Sequence, residues 1–267
     1  MMIQDKEIAI VDKYNKGMSI NKLSKEYGLD WHRVERILTK NNVMLRQRYK
    51  INEHYFDNID TPNKAYILGF LYADGSNTSN YEKKRYCVTI TLKQSDAQIL
   101  YDIKNEIGYE APIKLREYGD GPIATFDICN KHIVLRLHEL GVIPNKTLTL
   151  QFPQWLDKNL YSHFIRGYFD GDGCITYRRR KVASQLQTTI IGTDSMCSSF
   201  VDIISNTCSA NAHIYSVGHE GCRDNIKTLS VYGNMQCKKF LDYIYQDADL
   251  KLERKYKRYI DWYYQNN

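Results

Sequence analysis

Residues 163–177 read "HFIRGYFDGDGCITY". An apolar helical run ends in Asp170, Gly171, Asp172 and Gly173, and a strand follows. A helix C-terminus carries partial negative charge and favours cations. Two aspartates there need compensation, so the stretch asks which of them matters and what holds it.

The answer begins with a second copy. "AYILGFLYADGSNT" (65–78) aligns with "HFIRGYFDGDGCIT" (163–176). Gly69 matches Gly167, Ala73 matches Gly171, Asp74 matches Asp172 and Gly75 matches Gly173. Tyr72 stands where Asp170 does, so Asp74 and Asp172 are the shared acids and Asp170 is dispensable for chemistry. The similarity continues in kind. Residues 86–108 and 184–208 each read as strand, turn and helix, with "TDS" supplying cap residues in the second. Two short strands with a turn signal follow in each half, and each half closes on a helix, about 131–140 and 234–246. The predicted fold is α+β, with two α-β-β-α-β-β-α repeats related by a pseudo-twofold axis.

Gly69 and Ala73 lie one turn apart, as do Gly167 and Gly171. Small residues at that spacing let helix backbones approach closely. Packed through this face, the two helices bring Asp74 and Asp172 together at the axis. Two carboxylates at two negative helix ends repel unless a cation lies between them. Oxygen donors with water suit Mg²⁺, and metal-bridged carboxylates suit phosphodiester hydrolysis. A lone "DG" is an ordinary turn; two copies at one place in two repeats are not.

The first fifty residues read differently. "SINKLSKEYGLDWHRVERIL" (19–38) has the layout of a helix-turn-helix. Gly28 falls where the chain must turn left-handed, Asp30 is the N-cap of the next helix, and Val34, Ile37 and Leu38 form its buried stripe. An earlier helix, about 5–16, offers Ile8, Val11 and Tyr14 as its buried face. The second helix of the motif presents Trp31, His32, Arg33, Arg36 and Lys40 to solvent, a set that fits a DNA major groove. Residues 1–50 hold 11 Lys and Arg against 6 Asp and Glu. The bland reading of such a segment is a small helical bundle with a solvated basic face. The expected organisation is a helix-turn-helix domain over 1–48, a linker over 49–61, a first repeat over 62–152 and a second over 153–267.

The whole chain has 267 residues, a net charge of +6 and a hydrophobic content of 43%, normal for a folded globular protein. No run reaches the roughly 18 apolar residues of a membrane helix, and the N-terminus lacks signal-peptide architecture. These features point to a soluble, cytoplasmic protein. The seven cysteines are scattered without a C-x-x-C pair, which argues against a zinc ribbon and for reduced thiols.

"ILGFLYADG" (67–75) and "IRGYFDGDG" (165–173) resemble the nine-residue motif of the LAGLIDADG homing endonucleases, and the resemblance covers about 60–260. It implies a monomer with internal pseudo-twofold symmetry whose sheets form a saddle on double-stranded DNA. It also implies a metal-dependent DNA endonuclease using Mg²⁺, or Mn²⁺ as a substitute, held by Asp74 and Asp172. "LGVIPNKTLTLQFP" (140–153) resembles the family's Gly-x-x-Pro-x-Lys segment and points to Lys146. "LKLERKYKRYI" (250–260) resembles the corresponding segment of the second half and points to Lys255, with Arg254 as the alternative. A polar residue after the second strand of each half often joins such sites. Lys93 or Gln94 and Thr193 are the nearest candidates, although direct alignment lands on Leu92 and Gly192.

Strand alternation then gives base readers. Ile113 and Leu115 face the helices, which leaves Lys114, Arg116 and Tyr118 outside. Arg178 and Arg180 share a face with Thr176, and Gln185 and Gln187 form another polar alternation. Arg on guanine and Gln on adenine are the usual bidentate pairings. The resemblance leaves two other functions open: a DNA-binding transcription regulator that has lost cleavage, and an RNA-splicing maturase.

Overall fold

A computed structural model describes residues 3–46, 49–179, 184–216 and 225–266. The chain divides into two compact units, 1–48 together with 80–85, and 49–79 together with 86–267.

The first unit holds α1 (Ile3–Asn15), α2 (Ile20–Tyr27) and α3 (Trp31–Lys40). Ser19 caps α2 by accepting from Lys22 N, and Asp30 caps α3 by accepting from Arg33 N. Gly28 takes φ +63 in the turn between them, a conformation that favours glycine. Leu23, Val34, Ile37 and Leu38 meet Ile10 and Tyr14 of α1 in a small core. One expectation changes. Ile8 is 63% exposed and Ile10 is buried. Ile10 and Tyr14 lie one turn apart on the same side of α1, while Ile8 falls on the opposite side.

In the second unit the first repeat runs α4 (Pro62–Ala73), β1 (Gly75–Asn77), β2 (Val88–Lys93), α5 (Gln98–Glu106), β3 (Lys114–Tyr118), β4 (Gly121–Ile128) and α6 (Lys131–Glu139). The second runs α7 (Tyr161–Asp172), β5 (Gly173–Arg179), β6 (Ser184–Thr193), α8 (Asp194–Cys208), β7 (Ala212–Ser216), β8 (Ile226–Tyr232) and α9 (Asn234–Tyr245). A further helix, α10 (Glu253–Asn266), follows. Each repeat has the order α-β-β-α-β-β-α. Each builds an antiparallel four-stranded sheet, ordered β1-β2-β4-β3 and β5-β6-β8-β7. The copies differ in their first strand, because polar "SNTSNYEKK" leaves β1 with three residues where β5 has seven.

The sheets bury one face against helices. Ala124, Phe126 and Ile128 point inward from β4, and Leu186, Thr188 and Ile190 from β6. The helices α4 and α7 pack against each other along the pseudo-axis. Eight successive residues of α4, Ala65–Tyr72, are buried, as expected for a helix enclosed on all sides. The approach is very close. A Cβ built on Gly69 would lie 2.0 Å from the Phe164 carbonyl oxygen, and one on Gly167 would lie 2.0 Å from that of Tyr66. One on Gly171 would meet the Ala73 Cβ at 2.3 Å. Thr61 caps α4 with Pro62 in its first turn, where a missing N–H costs nothing.

Two further features depart from expectation. Cys87 and Cys129 form a disulfide with their Cα atoms 4.2 Å apart. They lie one step beyond the Val88↔Ile128 pair of β2 and β4, so strand register sets them opposite each other. Cys174, Cys197, Cys208 and Cys237 are free thiols, and Cys222 lies outside the described residues. Second, the segment read as a linker is packed. Tyr55 and Phe56 are buried in the main core, and the Tyr55 hydroxyl donates to Glu106. Among the described residues no helix is long and apolar enough to cross a membrane.

Gly69→Ala or Gly167→Ala forces a methyl into a backbone carbonyl with no flexible neighbour to yield. Overpacking of this kind costs about 2 kcal/mol or more. Thermal denaturation of either variant is expected to show a melting temperature lower by roughly 5 °C.

Candidate active site

The motif helices end side by side. Asp74 is the C-cap of α4 and Asp172 the last residue of α7. A Cβ on Gly171 would lie 3.2 Å from Asp74 Oδ2, so the Asp74 carboxylate rests against the end of α7. Burial raises the Asp74 carboxyl to about 6, and the nearby Asp172 charge adds to the rise. Asp172 opens to solvent at its edge, yet the protein around it still raises its carboxyl, while Lys146 and Lys255 oppose the shift.

The two lysines explain how acid is tolerated at helix ends. Lys255, on α10, is buried and its Nζ donates to the carbonyls of Phe169 (2.8 Å), Asp170 (2.7 Å) and Gly171 (3.1 Å). Buried Lys146 donates to the carbonyls of Ala73 and Gly75. Each motif helix therefore carries an ammonium on its last carbonyls, where unsatisfied acceptors gather. Burial lowers both lysine pKa values, and the acids oppose this: Asp172 and Asp74 at Lys146, Asp170 and Asp74 at Lys255. Arg254 points elsewhere, with a bidentate bond to Asp96 of the first repeat.

Asp170 is fully buried and stands apart from the acidic pair. It accepts from the hydroxyls of Tyr66 (2.9 Å) and Tyr245 (2.8 Å) and from Leu252 N (2.7 Å). Its counterpart Tyr72 donates to the Leu140 carbonyl. In both halves this position ties the motif helix to the segment that brings the lysine. Arg166 is also buried, and donates to the carbonyls of Leu250 and Ile244 at 2.9 Å each.

Asp74 and Lys146 open onto a pocket also lined by Ser76, Asn77, Asn145 and Thr147. Sequence reasoning passed over Asn77 and Asn145. Asn77 donates from Nδ2 to the Val142 carbonyl, which fixes the lysine segment from the other side. Asn145 takes φ +55 just before Lys146, a value asparagine tolerates. That single "PNK" was the available signal. Thr193 is not at the pocket: its hydroxyl donates to the Leu150 carbonyl and caps α8. Lys93 and Gln94 are exposed.

The residues expected to contact nucleic acid fall as follows. Trp31, His32, Arg33, Arg36 and Lys40 are exposed on α3, with Lys40 paired to Glu7 at 3.1 Å. The register sets Lys114 opposite Thr125, Arg116 opposite Ile123 and Tyr118 opposite Gly121, away from the buried positions of β4. Lys114 is paired with Asp127 at 2.5 Å. Leu115 pairs with inward-facing Ala124 but is 51% exposed, because β3 is an edge strand. Gln187 is opposite Thr176, and Gln185 opposite Arg178. Arg180 lies outside the described residues.

The carboxylate pair fits a hard divalent cation: oxygen donors, mutual repulsion, and a solvent-open edge for water ligands. Comparison with known proteins agrees with the fold. Residues 159–245 match the family model of the LAGLIDADG-like domain. No curated protein matches the chain in sequence. Among solved structures, the homing endonuclease I-WcaI bound to its DNA recognition sequence is 12% identical with a TM-score of 0.53, over 81% of this chain and 96% of that one. I-GzeII in complex with DNA target gives 13% and 0.52, over 76% and 88%. I-LtrWI bound to target DNA gives 14% and 0.51, over 78% and 88%. The family-model match thus falls on the second repeat, and the paired repeats have the fold of the LAGLIDADG homing endonucleases.

Two outcomes are expected here. A carboxyl whose folded pKa lies above its unfolded value binds protons better when folded. Its contribution to stability is therefore lost as pH rises from about 4 to about 6. In chelator, the unfolding free energy of Asp74→Asn relative to the parent, read by denaturant titration, should rise between about pH 4 and about pH 6, by at most about 3 kcal/mol. A flat difference would count against the raised Asp74 value. Asp170→Ala leaves buried Tyr66, Tyr245 and Leu252 donors without their acceptor, and should cost about 3 kcal/mol in denaturant unfolding.

Proposed function

We propose that this protein is a site-specific double-strand DNA endonuclease that uses a divalent metal, Mg²⁺ with Mn²⁺ as substitute. The observation that carries this reading is the meeting of Asp74 and Asp172 at the ends of α4 and α7, each beside a buried lysine. The metal, when bound, supplies Lewis-acid stabilisation of the phosphoryl oxygens.

The chain's own residues do the rest. Asp74 and Asp172 hold the cation, which offsets their repulsion at the two negative helix ends. Lys146 and Lys255 fix those ends and place positive charge beside the developing phosphorane, where a preorganised donor is most effective. Arg116, Tyr118, Gln185 and Gln187, on the outer sheet faces, read base edges in the major groove. Lys114 joins them by register. The helix-turn-helix formed by α2 and α3 extends the site through Trp31, His32, Arg33 and Arg36. The short β1 gives the first half fewer reading positions than the second, which suits an asymmetric target.

A second reading is a binding protein of the same fold without cleavage. One observation favours it: both lysine ammonium groups are already engaged by helix-end carbonyls.

Incubation with a randomised DNA library and Mg²⁺, followed by sequencing of the ends, separates the two. Recurrent cuts with 3′ overhangs are expected, reduced about 100-fold or more in Asp74→Asn and in Asp172→Asn. Tight selection of a site with no cuts in Mg²⁺ or Mn²⁺ would establish the second reading. Removal of residues 1–48 should weaken affinity yet leave slow cutting.

A further inference from the structure

Away from the acidic pair, His54, Asp57 and His132 converge on the second unit. His54 and Asp57 lie on the turn that leads toward α4, and His132 on the first turn of α6. Asp57 uses both oxygens: His54 Nδ1 lies 2.7 Å from Oδ2, and His132 Nε2 lies 2.6 Å from Oδ1. The three ligand atoms fall within 4.8 Å of one another, which no other three His, Cys, Asp or Glu side chains do among the described residues. The imidazole rings sit 4.9 Å apart at 65°, so they do not stack.

The cluster is held in place by neighbours. Arg136, also on α6, donates from Nη2 to the Asp57 carbonyl at 3.1 Å and from Nε to the Phe56 carbonyl at 3.3 Å. Phe56 is fully buried. The turn is thus clamped onto the same helix that carries His132, and the third ligand is set before any ion arrives.

We propose that His54, Asp57 and His132 bind one divalent transition-metal ion of the zinc class. Two imidazoles and a carboxylate are a zinc donor set, at about 2.0–2.2 Å from the ion, and the exposed side leaves room for water as a fourth ligand. Nitrogen donors separate this site from the all-oxygen pair at Asp74 and Asp172, which suits Mg²⁺ instead. An ion here ties the segment before α4 to α6. The site stands whether or not the protein cuts DNA.

The test uses tag-free full-length protein stripped by EDTA and titrated with Co²⁺ in excess Mg²⁺, which masks the carboxylate pair. One equivalent should bind with visible d–d absorption and be displaced by Zn²⁺. His54→Gln and His132→Ala should each weaken binding at least tenfold. Zn²⁺ should raise the melting temperature of the parent by a few degrees but not that of either variant. A variant of Asp74→Asn with Asp172→Asn should keep the full response. Absence of a saturable Co²⁺ spectrum, or one unchanged in both histidine variants, would overturn the proposal.

Discussion

The backbone contact between α4 and α7 at Gly69 and Gly167 is the constraint from which the rest follows. A side chain at either glycine would occupy the space of a facing carbonyl. Only at that separation do the two helix ends lie close enough for Asp74 to rest against Gly171. The sheets inherit their positions from the same contact, since each continues directly from its motif helix through Gly75 or Gly173. Packing at the axis therefore sets both the chemistry at its end and the arrangement of the two outer faces.

Close approach creates an electrostatic problem as well as a site. Two sets of orphan carbonyls and two carboxylates gather in one place. Lys146 and Lys255 meet the carbonyls, each from a segment outside its motif helix. Leu140 and Leu252 anchor those segments through Tyr72 and Asp170. The Asp74 carboxyl is raised by burial first and by the Asp172 charge second, so the lysines leave part of the cost of ionising it in place. A divalent cation is the natural counter-charge for that remainder.

Much of this was legible in the sequence because the repeat is local and doubled. Matching small residues one turn apart predicted the helix contact, and alternation with turn signals predicted two four-stranded sheets. Asp170 differs from the two shared acids in sequence because its partner position holds Tyr72. What stayed hidden depends on distant register. The Cys87–Cys129 bond requires knowing that β2 pairs with β4 across 42 residues. The motif points to Lys146 and Lys255 but not to their bonds with helix-end carbonyls, since nothing local joins residue 255 to residue 169. The exposure of Leu115 likewise follows from the edge position of β3, which alternation alone cannot give. Ile8 was misplaced because α1 carries apolar residues on more than one side.

The measurement that bears most directly on the central claim is anomalous diffraction from crystals grown with Mn²⁺ and DNA. The account predicts a manganese peak at the paired ends of α4 and α7, within bonding distance of both the Asp74 and Asp172 carboxylates, and its loss in Asp172→Asn. A fully liganded complex with no peak there, or a peak touching neither aspartate, would contradict it.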